Sequence, residues 1–141
     1  MNAVVKRSAR LSAEERELVA AAAAAMKRAY APYSKFKVGA AIRTWSGEII
    51  CGCNLENASF GATVCAERNA VAQAVLMGHQ RFRAIAVMTR AQTLVAPCGL
   101  CRQVLVEFAK DLPIILANTH GGLSRIRLRS LLPMPFSGKE L

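Results

Sequence analysis

Apolar and polar positions follow two periods along this chain, and the changes of period mark its elements. Ser12 precedes an alanine-rich run, Leu18 to Met26, and Glu15 lies three residues after it. That pair is the reciprocal signature of a helix start, and alanine favours the helix that follows. Pro32 disfavours helix at the residue before it, so this helix is expected to stop near Tyr30, with Tyr33-Ser34-Lys35-Phe36 as a loop. Val38 to Thr44 reads as a strand, in which Gly39-Ala40-Ala41 implies close packing against the backbone. Ser46-Gly47 is a turn, and Glu48 to Cys53 returns as the second arm of a hairpin, with Cys51 and Cys53 on one face.

The second half is more regular. Residues 65–77 read as a helix stopped by Gly78, with Val64, Val71, Val75 and Leu76 at core positions. Ala84 to Met88 is apolar throughout and suits an interior strand. A helix over 98–110 opens at Pro97. Ile114 to Ala117 forms a short buried strand, and Gly121-Gly122 a turn. Leu123 to Leu128 alternates with arginine, as an edge strand guarded by charge would. Leu131-Leu132 ends a short helical turn before Pro133. A hairpin followed by strand–helix–strand–helix–strand implies an α/β protein built as a three-layer sandwich.

Composition narrows the class. The chain has 141 residues, 53% hydrophobic and 20% charged, which fits one folded domain with a real core. A basic arm over 1–11 and a single domain over 12–141 are expected. The longest apolar run, Leu18 to Met26, is too short to span a bilayer. The N-terminal residues lack the apolar core of a secretory signal, so the cytoplasm is the expected location. The formal charge of +10 raises the prior for a polyanionic partner, but the positives are scattered, and a solvated basic surface is the preferred reading. Five cysteines make an odd count without disulfide spacing; in a reducing compartment such cysteines more often bind metal or do chemistry.

The chemistry concentrates in Cys65-Ala66-Glu67-Arg68 and Pro97-Cys98-Gly99-Leu100-Cys101-Arg102. Cys98 and Cys101, three apart at a helix start, share a face. Cys65 also stands at a helix start, where partial positive charge favours a thiolate. Thiolate ligands point to zinc. Three of them leave a fourth position open, as catalytic zinc sites do, and Glu67 is placed to work on a metal-bound water without ligating. A structural zinc completed by Cys51 or Cys53 is the competing arrangement. Three thiolates make the site net negative, and at least one of Arg68 and Arg102 is expected to donate to a ligand sulfur.

Cys-Ala-Glu followed by Pro-Cys-x-x-Cys is similar to the signature of the zinc deaminases. The chain as a whole resembles the short, homotetrameric cytidine deaminases. The likeness runs from about Ser12 to Leu141 through Ala31-Pro32-Tyr33-Ser34-Lys35-Phe36, Val38-Gly39-Ala40-Ala41, Gly52-Cys53-Asn54-Leu55-Glu56-Asn57-Ala58, Cys65-Ala66-Glu67-Arg68, Pro97-Cys98-Gly99-Leu100-Cys101-Arg102-Gln103 and Leu131-Leu132-Pro133.

The resemblance implies a mixed five-stranded sheet within the α/β/α sandwich. It implies one Zn2+ per subunit held by Cys65, Cys98 and Cys101, with Glu67 as the catalytic proton shuttle. Asn54 and Glu56 would bind the ribose hydroxyls, and Phe36 would pack on the pyrimidine beside Ala66. Phe136 would enter the active site of an adjacent subunit of a homotetramer. The implied reaction is hydrolytic deamination of cytidine and 2'-deoxycytidine in pyrimidine salvage. Lys37, Phe60, Ala96 and Arg127 stand where the family usually has proline, tyrosine, serine and threonine. The alternatives are deamination of a blasticidin-type aminonucleoside or of single-stranded nucleic acid; neither nucleic acid nor a membrane is the expected partner.

Overall fold

The structure, a computed structural model, describes residues 10–141, and residues 1–9 of the expected basic arm lie outside the described residues. The elements run α1 (Ala13–Lys27), β1 (Val38–Thr44), β2 (Ile49–Cys53), α2 (Ala66–Leu76), β3 (Phe82–Thr89), α3 (Gly99–Phe108), β4 (Pro113–Asn118), β5 (Leu123–Arg127) and α4 (Leu128–Leu131). Single 3-10 turns lie at Phe60–Ala62 and Gly138–Glu140. The strands form one sheet in the order β2-β1-β3-β4-β5. Only β3 and β4 pair in parallel; the other neighbours are antiparallel. This is the mixed five-stranded sheet expected from the sequence.

Alternation along the strands divides the core between the two faces. Ala41, Ala86, Met88, Ile115 and Ala117 pack with Leu18, Ala22 and Met26 of α1. Ala40, Ile42, Ile85, Val87, Ile114 and Leu116 pack on the other face with Ala66, Ala70, Val71 and Ala74 of α2 and Leu105 of α3. One helix therefore covers one face and two cover the other, which makes three layers.

Two glycines set how closely the helices approach. A Cβ at Gly39 would lie 1.9 Å from the carbonyl oxygen of Ala22 in α1. A Cβ at Gly52 would lie 2.3 Å from Ala70 N and 2.4 Å from Ala66 O in α2. Neither separation is sterically possible, so α1 and α2 rest directly on strand backbone. The close approach expected at Gly39 is thus borne out.

Three local expectations change. The first helix stops at Lys27, with Arg28 as its cap. Tyr30 is drawn instead into a bridge with Leu55: its N–H donates to Asn54 O, and its carbonyl accepts from Glu56 N. Val75 and Leu76 of α2 are 40% and 87% exposed rather than core. The face of α2 that meets Gly52 admits only small side chains, so Ala66, Ala70 and Ala74 are buried there. Pro97 precedes the N-cap Cys98 rather than opening the helix.

The edge strand β5 does carry alternating arginines, and both are paired. Arg125 meets Glu15, and Arg127 meets Asp111. No helix among the described residues is long and apolar enough to cross a membrane.

Candidate functional site

The N-termini of α2 and α3 converge beyond the end of β3. Cys65 is the N-cap of α2 and Cys98 the N-cap of α3, and neither makes a side-chain capping hydrogen bond. Cys101 lies buried in the first turn of α3. The three sulfurs lie within 4.8 Å of one another, and Cys65 Sγ and Cys98 Sγ are 3.7 Å apart. Two thiolates bound tetrahedrally at about 2.3 Å from zinc would stand about 3.8 Å apart, so the spacing fits. Among the described residues, neither Cys51 nor Cys53 joins this group. Cys51 faces the carbonyl of Ala21 on α1, which removes the arrangement in which it completes a structural site.

The ionisation of the cluster also asks for a cation. Burial raises the Cys101 thiol far above its ordinary value, reinforced by the charges of Glu67, Cys65 and Cys98. Burial works against the Cys98 thiolate too, but the N–H groups of Cys101 and Leu100 and the neighbouring thiols outweigh it, and Cys98 is lowered. Anions this close cannot all ionise unaided, and a divalent metal removes that obstacle.

Glu67, in the first turn of α2, is 5% exposed. The Cys101 thiol donates to Glu67 Oε2 at 3.6 Å. Desolvation by burial raises the Glu67 carboxyl, opposed by its own backbone N–H, by Cys101 and by the charge of Arg68. Arg68 donates from one terminal nitrogen to Cys65 Sγ at 3.6 Å and to Thr63 O at 3.4 Å. Its buried Nε has no partner among the described residues. Arg102 turns away from the sulfurs. Its Nε donates to Pro97 O at 2.7 Å and its NH1 group to Leu131 O at 2.9 Å. The arginine beside a ligand sulfur is therefore Arg68.

A cavity of about 190 Å3 opens onto this cluster, lined by Phe36, Asn54, Cys65, Ala66, Glu67 and Cys98 among others. Lys35, with φ 59°, turns the chain immediately before Phe36, which stands on the cavity wall. Asn54 braces the same wall: its Nδ2 donates to Phe36 O and its Oδ1 accepts from Val38 N, both at 2.8 Å. Glu56 lies outside the cavity lining; its carboxylate accepts from Ser34 N and, at 2.6 Å, from Ser34 Oγ. Phe136 is 66% exposed and also lies outside it. Val38, Thr63, Val87, Val95 and Ala96 complete the lining; Thr63 and Val95, isolated small or apolar residues, carried no sequence signal. A larger hollow of about 820 Å3 along the β2 edge, lined by Ala21, Ala24, Tyr30, Cys51 and Leu55, contains no acid. The chemistry lies in the smaller one.

A three-layer α/β fold with three cysteine sulfurs on paired helix N-termini, a buried acid beside them and an open pocket defines a metal-dependent hydrolytic class of site. The family model of the cytidine and deoxycytidylate deaminase zinc-binding region matches residues 12–116, and the chain belongs to that family. Cytidine deaminase of Sporosarcina psychrophila is 43% identical over 126 residues, covering 89% of this chain and 93% of the relative. The crystal structure of cytidine deaminase from Burkholderia pseudomallei superposes with a TM-score of 0.83 at 46% identity, over 86% of this chain and 98% of that one. Blasticidin-S deaminase of Bacillus cereus is more distant, 33% identical over 135 residues, 90% of this chain and 95% of the relative.

Proposed function

We propose that this chain is a zinc-dependent hydrolase that deaminates cytidine and 2'-deoxycytidine to uridine and 2'-deoxyuridine, releasing ammonia. The observation that carries the reading is Glu67, a buried carboxylate beside a three-cysteine cluster and on the wall of the pocket that cluster opens into. Cys65, Cys98 and Cys101 would hold the metal within a single catalytic domain over 12–141. Zinc held there would supply Lewis acidity, making a water acidic enough to serve as nucleophile near neutral pH.

The remaining steps belong to the protein. Glu67 accepts one proton from the attacking water and delivers it to N3 of the pyrimidine; it then takes that water's second proton, from the hydroxyl now on C4, and gives it to the leaving amine. A carboxyl raised by burial suits the donating half of that cycle. Arg68 offsets the negative charge of the thiolates from 3.6 Å, while Arg102 has a bracing role. Phe36 packs on the base, and Ala66 lies beside it at the start of α2. Asn54 and Glu56 retain lone pairs for ribose hydroxyls, since a carboxylate can accept about four hydrogen bonds.

The assembly proposed is a homotetramer in which Phe136 enters a neighbour's site. The pocket in one chain, about 190 Å3, falls below the roughly 300 Å3 at which ligand pockets usually begin, as expected if some walls come from another copy. Exposed Met134 and Phe136 and the open hollow along β2 offer apolar surface for that contact. The five cysteines are free thiols, which suits the cytoplasm and a role in pyrimidine salvage.

The test is ultraviolet-monitored turnover of cytidine by the zinc-loaded protein, with Glu67→Gln as control. Loss of cytidine absorbance is expected, with the control slower by at least 10²–10⁴-fold and still zinc-loaded. Wild-type-like turnover by Glu67→Gln would remove its role. Blasticidin-type antibiotics belong in the same panel because of the 33% identical relative; faster turnover of the antibiotic than of cytidine would reverse the assignment.

A further inference from the structure

The carboxamide of Gln103 grips one residue of the C-terminal segment at both of its backbone groups. Gln103 Nε2 donates to Phe136 O at 2.9 Å, and Phe136 N donates to Gln103 Oε1 at 3.2 Å. A single hydrogen bond would leave that residue free to swivel. Two bonds from one planar amide fix both the position and the rotation of its backbone, much as a neighbouring strand would. The next residue back, Arg102, holds the same segment at Leu131 O. The helical turn that carries Cys98 and Cys101 thus also anchors the tail at two points. The Phe136 ring is left 66% exposed, and among the described residues it pairs with no other aromatic ring.

We propose that Gln103 is a positioning residue for the reaction. By clamping the backbone of Phe136 to the metal-ligand helix, it sets where that ring projects and so shapes the substrate pocket the ring completes. The inference rests on the reading above that Phe136 serves a neighbouring subunit's site. It adds the residue that aims the ring, and it makes the aim depend on α3, so that metal cluster and tail move as one body. Gln103 touches neither the cavity nor the sulfurs, and its effect is exerted through Phe136.

The test is a double-mutant cycle on the assembled, zinc-loaded enzyme, with cytidine as substrate. Gln103→Met keeps the length of the side chain and removes both bonds. Gln103→Glu keeps the acceptor for Phe136 N–H and places a carboxylate against Phe136 O. For Gln103→Met, KM should rise roughly three- to tenfold, the factor that one or two solvent-facing hydrogen bonds represent. kcat, zinc content and oligomeric mass should stay near those of the parent. Gln103→Glu should fall at or above the same KM, because one of its two contacts becomes repulsive.

Added to Phe136→Ala, the Gln103→Met change should cost nothing further, since a clamp without its ring has nothing to aim. If Phe136→Ala impairs KM while Gln103→Met does not, the clamp proposal is overturned and the reading of Phe136 stands. If Phe136→Ala alone is wild-type, the reading of Phe136 fails first. If Gln103→Met loses zinc or dissociates, or if its effect simply multiplies that of Phe136→Ala, Gln103 acts on stability and not through the ring, and the proposal is likewise overturned.

Discussion

The N-terminus of α1 and those of α2 and α3 face the same physical problem and resolve it in opposite ways. Each helix begins with backbone N–H groups that lack partners and with partial positive charge. At α1 the chain closes the end with its own side chains. Ser12 Oγ accepts from Glu15 N at 3.1 Å, and Glu15 Oε2 accepts from Ser12 N at 2.8 Å. At α2 and α3 the N-caps are Cys65 and Cys98, without a side-chain capping bond. Those ends are left electropositive and are turned toward one another, where they favour thiolates. The first helix start is closed by its own side chains, and its Glu15 also pairs with Arg125 of β5. The other two carry cysteine sulfurs at their N-caps, drawn together with Cys101 into one group that a cation would hold, and that is what makes them a site.

The sharpest test of the contrast is to remove a sulfur. Cys98→Ala should abolish zinc binding and turnover together, measured by metal content and cytidine assay. The metal should also stabilise the parent protein by mass action, by about 2.7 kcal/mol when free zinc stands a hundredfold above its dissociation constant. Thermal unfolding with and without a chelator should show this shift in the parent and not in Cys98→Ala. A Cys98→Ala protein that keeps stoichiometric zinc would show that the two helix starts do not form one site.

The two close-approach glycines extend the comparison from caps to packing. Gly39→Ala and Gly52→Ala each force a Cβ into helix backbone, and overpacking of this kind typically costs about 1–3 kcal/mol or more. Both should lower the unfolding midpoint in denaturant. Gly52 lies against Ala66 and Ala70 of α2, the helix that carries Cys65 and Glu67, so Gly52→Ala should also weaken zinc affinity. Gly39 lies against α1, so its variant should bind zinc normally once folded. Equal losses of zinc affinity in the two would separate α2 packing from metal geometry.

Legibility followed sequence distance. The Ser12/Glu15 box spans four residues, and the Cys98/Cys101 pair shares one helical turn, so both were readable. So were the strands, because alternation survives without knowledge of the partner. The core face of α2 was misassigned at Val75 and Leu76, because periodicity marks large apolar residues whereas Gly52, on another element, demands small ones. Arg68 and Arg102 were indistinguishable as neighbours of motif residues. They separate only in space, where Arg102 finds the Pro97 and Leu131 carbonyls. The Gln103–Phe136 clamp joins residues 33 apart through backbone atoms, and backbone acceptors leave no mark in side-chain identity.

A smaller effect isolates the capped end. Ser12→Ala removes the acceptor for Glu15 N and should cost about 1 kcal/mol, the usual worth of an N-cap. Zinc content and kcat should not change. A measurable loss of turnover would mean that the α1 end is coupled to the site after all.

The smallest effect is one of pH, and it divides the same two kinds of helix start. Glu15, in the first turn of α1, is lowered from 4.5 to about 2, chiefly by its hydrogen bond from Arg125, with burial opposing and Ser12 assisting. Its carboxylate therefore contributes stability that is fully present above the unfolded value of 4.5 and is lost as pH falls toward about 2. Glu67, in the first turn of α2, is shifted the other way: burial raises it. In the metal-free protein its contribution is fully present below 4.5 and is lost as pH rises through the higher folded value. Arg125→Ala should flatten the acid limb of a Tm-against-pH curve between about pH 5 and pH 2, leaving the limb above pH 5 unchanged. Glu67→Gln in the metal-free protein should flatten the upper limb and leave the acid limb in place. If both variants altered the same limb, the closed and the open helix starts would not differ in electrostatic character.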